Sequence, residues 1–161
     1  MHETLVAGLT QQYNHERANA AFYEAVANSF EAANWRGFAA WHYRQAEQER
    51  GHAAAFRAYL IDRNLYPAVG ALQGFPSVPP DDVLIGFQAA MAREQMTSAM
   101  IRELHYLAEQ FEDPETVAFL WPWLLEQVEE ERKLLDILGD LTHAAGNPAA
   151  LLALDREYGE V

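Results

Sequence analysis

The chain has 161 residues, no cysteine, and 24 Asp and Glu against 11 Lys and Arg, a formal charge of −13 at pH 7. The lack of cysteine excludes disulfides and thiolate metal sites and leaves oxygen and nitrogen donors, while the acidic balance excludes a nucleic-acid surface, which needs clustered Lys and Arg. Half of the residues are hydrophobic, enough for one domain over residues 1–161; with no membrane-length apolar run and no leader-like start, a cytoplasmic protein is expected.

The first periodic stretch, about residues 4 to 33, carries the seam Leu5, Leu9, Tyr13, Glu16, Ala20, Tyr23, Ala27 and Phe30. Its alternating steps of three and four belong to a helix packed on neighbours, and its fourth member is a glutamate where an apolar residue belongs. Asn34 and Gly37 mark a tight turn, so a second helix, about 35 to 64, is expected to run antiparallel to the first. Its seam reads Phe38, His42 or Trp41, Gln45, Glu49, His52, Phe56, Tyr59 and Arg63. Glu49 and His52 stand at i and i+3, on one face, where both can reach a single ion.

A long connection follows, with Pro67, Gly70, Gly74, Pro76, Pro79 and Pro80. Its length lets the chain return along the bundle, so the second and third helices can run parallel. Asp81 and Asp82 make a helix start for a third stretch, about 82 to 110, with the seam Val83, Phe87, Ala90, Glu94, Thr97, Ile101, Leu104 and Ala108. Asp113-Pro114 opens a fourth, about 114 to 143, reading Thr116, Leu120, Trp123, Gln127, Glu130, Leu134, Ile137 and Leu141. Pro122 cannot donate to the Ala118 carbonyl and predicts a kink or a late start. Gly146-Asn147-Pro148 opens a short last helix, about 147 to 158. The fold class is all-α: a four-helix bundle over about 4–143, a long crossover between the second and third helices, and a short fifth C-terminal helix.

The polar interruptions all fall near mid-helix. Antiparallel helices of about 30 residues, roughly 45 Å long at ~1.5 Å per residue, share a midpoint whichever way each runs, so these groups meet at one depth. Burying several carboxylates costs several kcal/mol each without a counter-charge, and no lysine or arginine stands at that level of the seams. A bound cation is the simplest compensation, and four acids with one imidazole describe a di-metal site. Taken alone, Glu49 and His52 read more readily as a surface acid and a hydrogen-bonded histidine; Glu16, Glu94 and Glu130 at the same depth reverse that balance.

These residues resemble the prokaryotic non-haem ferritins over nearly the entire chain. The matching segments are Asn14-His-Glu16 with Tyr23, Ala46-Glu-Gln-Glu49-Arg-Gly-His52, Arg93-Glu94-Gln95, Glu126-Gln127-Val-Glu-Glu130, and Leu154-Asp155-Arg156-Glu157 in the terminal helix. The resemblance implies iron storage, with Fe(II) oxidised by O₂ or hydrogen peroxide at a dinuclear ferroxidase centre and ferric mineral held in a shell of twenty-four subunits. It implies that Glu16, Glu49 and His52 bind a first iron, that Glu49 bridges to a second held by Glu94 and Glu130, that Gln127 lies beside the second, and that Tyr23 lies near the centre. A third iron site in many relatives uses a glutamate where this chain has Gln48, together with the positions of Glu126, Glu129 and Glu130. An amide is a weaker ligand than a carboxylate, so that site is expected to be weak or absent. Haem is not expected, because the haem ligand of the bacterioferritins is a second-helix methionine and Met1, Met91, Met96 and Met100 lie elsewhere.

Two other readings compete. A di-iron or di-manganese oxidoreductase that stores nothing would share the bundle, but many such sites carry a second Glu-x-x-His, whose counterpart here is Gln127-x-x-Glu130. A non-catalytic shell subunit, as in light-type ferritin chains, would lack the ligands that this chain keeps. Away from the seams, Trp35, Trp41, Trp121 and Trp123 read as core or interface packing, Tyr23 equally as a core aromatic, and His2, His15, His42, His105 and His143 as surface or packing groups. Of the run Glu129-Glu-Glu131, the last is assigned to the solvated face.

Overall fold

The computed structural model describes residues 1–72, 74–75 and 82–160; Pro76, Pro79, Pro80 and Asp81 lie outside the described residues. Five helices follow in order: α1 Glu3–Ala32, α2 Arg36–Asp62, α3 Val83–Gln110, α4 Pro114–His143 and α5 Pro148–Glu160. Side-chain pairings fix their directions. Along α1 and α3, a Cβ on Gly8 would meet Leu104, Asn19 bonds Thr97, Tyr23 bonds Glu94, and a Cβ on Gly86 would meet Phe30, an antiparallel register. Tyr43 reaches Asn28 and Arg50 reaches Glu24, so α2 is also antiparallel to α1. Hence α2 and α3 run parallel, which is what the long connection allows.

All eight seam positions read for α1 are buried, as are all eight for α3, and α4 departs only at half-buried Trp123. On α2 the seam drifts at its end, where Leu60 rather than Tyr59 is buried. Tyr59 instead stacks on Phe119, with ring centroids 3.9 Å apart, and Arg63 pairs with buried Asp113 at 3.0 Å. The apolar side chains form two clusters, one around Tyr23, Phe30, Phe38 and Phe87, the other around Leu5, Leu9, Phe56 and Leu120. Each buried Phe or Leu contributes about 1.5–3 kcal/mol, and these two ends offset the polar band between them.

Three helices end with a residue in the left-handed region: Asn34 (φ 64), Asn64 (φ 58) and Glu112 (φ 50). In each the amide of that residue and the next one fold back, as where Asn34 N–H donates to Glu31 and Trp35 N–H to Phe30, the arrangement that satisfies terminal carbonyls. Starts differ more. Asp82 caps α3 and Asp113 caps α4 through their own side chains, whereas Trp35 at the head of α2 offers none. Its cap comes from α5: Asp155 Oδ1 accepts from Phe38 N–H at 2.9 Å. The backbones touch there, since a Cβ on Gly37 would lie 1.4 Å from the Asp155 carbonyl oxygen. Arg44 fastens the end of α5 by donating to the Tyr158 and Gly159 carbonyls.

α4 starts at Pro114 and continues across Pro122, so the late start foreseen for it does not occur. Ala118 and Pro122 are both exposed, and water can satisfy the carbonyl that the proline leaves free. The crossover is tied to α1: Asn14 donates to the Ala68 carbonyl and accepts from Gly70 N–H, and Arg17 donates to the Gly70 carbonyl. Trp121 is 56% exposed, outside the core. Among the histidines, His2 caps α1 and stacks on Phe111, His105 lies beside Glu109, and His42 is fully buried, with burial holding its imidazole down to about 3.

Candidate metal centre

The polar band sits where the four long helices share their middles. α1 contributes Glu16 and Tyr23, α2 contributes Glu49 and His52, α3 contributes Glu94, and α4 contributes Gln127 and Glu130, all of them buried or nearly so. One ligand atom each from Glu16, Glu49 and His52 lies within 4.8 Å of the others, a spacing that one ion can fill. His52 Nδ1 lies 3.4 Å from Glu49 Oε2, and its Nε2 lies 3.1 Å from Glu126 Oε1. Glu49 Oε2 has no hydrogen-bond donor, an unmet demand that a cation would satisfy.

The other acids are each engaged. Glu94 accepts from Tyr23 Oη at 2.5 Å and from Gln127 Nε2 at 3.1 Å. Glu130 accepts from Gln48 Nε2 at 2.9 Å and from Lys133 Nζ at 2.7 Å. Gln48 also donates to Glu126 at 3.3 Å. Glu129 is exposed, whereas Glu131, expected on the solvated face, is half-buried and accepts from Ser98 Oγ.

Proton affinities record the crowding. Burial raises Glu16 well above the carboxylate range, and the Glu49 charge adds to it. Burial and Glu49 likewise push Glu94 up to about 7, against the Tyr23 and Gln127 hydrogen bonds. Burial pulls His52 down, but its hydrogen bond to Glu126, its contact with Glu49 and the Glu49 and Glu16 charges outweigh that and push it up to about 10. Burial, then Glu94, lifts the Tyr23 phenol well above its ordinary value. The metal-free centre therefore holds protons that an arriving cation displaces.

Several supporting groups do not stand in the seams as read from sequence. Gln12 and Asn19 are fully buried and donate to the two oxygens of Glu16 at 2.6 and 3.2 Å. Their spacing of four before and three after Glu16 is the signal that could have found them. Arg93 Nε donates to Asn19 Oδ1 at 3.0 Å, with its guanidinium over the rings of Phe22 and Phe75. His15 shares a hydrogen bond with Thr97, and burial, helped by Arg93, holds it down to about 4. Neither Arg93 nor Lys133 is a seam residue, so none stands at this level of the seams, yet both long side chains reach the band.

Comparison with known proteins gives a consistent picture. Residues 6–144 match the model of the ferritin-like domain. A bacterial non-heme ferritin of Staphylococcus aureus (strain USA300) is 30% identical over 157 residues, covering 98% of this chain and 94% of that protein. One from Bacteroides fragilis (strain 638R) is 27% identical over 158 residues, covering 98% of each. The structure of an open pore ferritin from the hyperthermophilic archaeon Archaeoglobus fulgidus superposes with a TM-score of 0.96 at 31% identity, covering 99% of this chain and 98% of that one.

Proposed function

The chain belongs to the ferritin family, on the prokaryotic non-haem side, and from that premise we propose how its own residues carry out the family's work of storing iron in a multi-subunit cage. The protein oxidises Fe(II) at a dinuclear centre inside the bundle. Glu16, Glu49 and His52 hold the first ion, Glu49 bridges, and Glu94 and Glu130 hold the second. Gln127 orients Glu94 through its 3.1 Å hydrogen bond, and Tyr23 does the same from the opposite side. The observation that carries this reading is the trio of ligand atoms within 4.8 Å, with Glu94 and Glu130 on the helices facing it.

Each Fe(II) gives up one electron. O₂ takes two electrons and two protons to become hydrogen peroxide, or hydrogen peroxide takes two of each to become two waters. Carboxylates favour Fe(III) over Fe(II), which makes the step downhill. The protons held on Glu16, Glu94 and His52 leave as the cations bind. The fitting assembly is a shell of twenty-four copies, each a single ferritin-like domain over residues 1–161. A third iron site built on Glu126, Glu129 and Glu130 is weak or absent, because Gln48 already donates to Glu126 and Glu130 and Glu129 is exposed.

Stopped-flow absorbance of Fe(II) added to the aerobic protein tests the centre. Glu49→Ala is expected to reduce oxidation to the uncatalysed rate while the cage still assembles. An assembled variant that oxidises iron as fast as the parent would show that the centre is elsewhere.

A further inference from the structure

Glu130 carries a lysine counter-charge, and no lysine or arginine pairs with the trio. Lys133 Nζ lies 2.7 Å from Glu130 Oε1, and the two side chains are 52% and 5% exposed. The ammonium therefore reaches inward from the surface to a buried carboxylate. The same oxygen takes the Gln48 amide at 2.9 Å, so both donors converge on one atom. Across the band, Glu49 Oε2 has no hydrogen-bond donor and lies 3.4 Å from His52 Nδ1. Arg93, whose guanidinium also reaches this depth, bonds Asn19 and none of the carboxylates.

Resting on the ligand assignment proposed above, we infer that Lys133 is a positioning residue that makes filling of the centre sequential. The trio, with an oxygen that lacks a donor and no lysine or arginine against it, accepts the first divalent ion without displacing an ammonium. The second ion needs the Glu130 carboxylate, whose Oε1 Lys133 and Gln48 already hold, and an ammonium and a dication against one carboxylate repel each other strongly. Lys133 must swing out. Its four-carbon stem and half-exposed position make that possible, since the ammonium can exchange Glu130 for water. In the metal-free protein the lysine compensates the buried charge of Glu130, and in the loaded protein the second ion takes over that task.

The test is calorimetric titration of the assembled, metal-free full-length protein with Zn(II), which binds without redox chemistry. The parent is expected to bind two ions per subunit in a tighter and a weaker step. Lys133→Gln should tighten the second step roughly 2- to 5-fold, the range set by a half-exposed ion pair, and leave the first unchanged. Lys133→Arg, which keeps the charge, should retain the parental second step. Two parental steps with an unchanged or weakened second step in Lys133→Gln would overturn the role of Lys133 alone, as would equal tightening in both variants. A parent that binds no Zn(II), or binds it identically when Glu49 is replaced by Ala, would overturn the ligand assignment and this inference with it.

Discussion

The hairpin of α1 and α2 and the hairpin of α3 and α4 deliver acids to the same depth, but in different condition. Glu16, Glu49 and His52 from the first crowd within reach of one ion, with Glu49 Oε2 undonated. Glu94, Glu130 and Glu131 from the second each accept at least one hydrogen bond, and two of the donors, Tyr23 and Gln48, come from the first hairpin. The turns differ in the opposite sense. The second hairpin caps α4 with its own Asp113, while the first borrows Asp155 from α5 to cap α2. The unmet demand thus stands on the first hairpin and the engaged acids on the second. The difference also shows that local completeness and functional readiness need not reside in the same half of a bundle.

The sharpest way to probe this difference is to remove one of the engaged acids. Glu94 has a folded pKa of about 7 against 4.5 in the unfolded chain, so the folded state keeps its proton longer. The stability this supplies is full below pH 4.5 and is lost as pH rises through 7, by roughly 3 kcal/mol. Glu94→Gln should abolish that loss in the metal-free protein, read as the change in denaturant midpoint between pH 5 and pH 8. His42, buried at about 3, loses stability in the other direction as pH falls below 6.5, and subtracting variant from parent removes its contribution. Equal pH slopes in the two proteins would mean that hydrogen bonding already compensates Glu94 fully.

A smaller effect is expected at the borrowed cap. Asp155→Ala should cost about 1–2 kcal/mol, as loss of an N-cap does, and the damage should sit on the first hairpin. Hydrogen exchange at the Phe38 amide reads it directly: protection equal to the parent would show that α5 is not what satisfies α2. Smallest is the turn of the second hairpin. Glu112 holds φ 50, a conformation that costs a non-glycine side chain about 1 kcal/mol. Glu112→Gly should recover up to ~1 kcal/mol, less the added freedom of the unfolded chain, seen as a small rise in thermal midpoint. A fall instead would mean that this turn is not strained.

Periodicity exposed much of this arrangement because it encodes burial directly. Leu5 through Phe30 and Val83 through Ala108 are buried at every position of the three-and-four pattern, and the acids that break the pattern are buried with them. Partnership was harder to read than depth. Asp155 caps an amide 117 residues away, and no local pattern predicts so distant a donor. Lys133 and Arg93 escaped because a seam lists where a Cβ points, whereas a long side chain can carry its charge one turn inward from a surface position. Tyr59 was misread because a helix drifts against a strict seven-residue repeat, so that by the fourth turn after Glu49 the inward position had passed to Leu60. Of the core and interface roles read for Trp121, its exposed place on α4 removes the first.

The turn of α1 that carries Glu16 also carries Asn14 and Arg17, which clasp the crossover at Ala68 and Gly70. A connection from Arg63 to Asp82 pinned near its first third no longer closes as one long loop. It closes as two shorter ones, and because closure entropy grows only with the logarithm of length, the remaining segment costs slightly less to close than the whole connection. Chain assembly can then proceed in stages: a hairpin of α1 and α2, a fold-back onto its flank, and only afterwards the long-range docking of α3. The middle of α1 would serve as a waypoint in the route to the native topology.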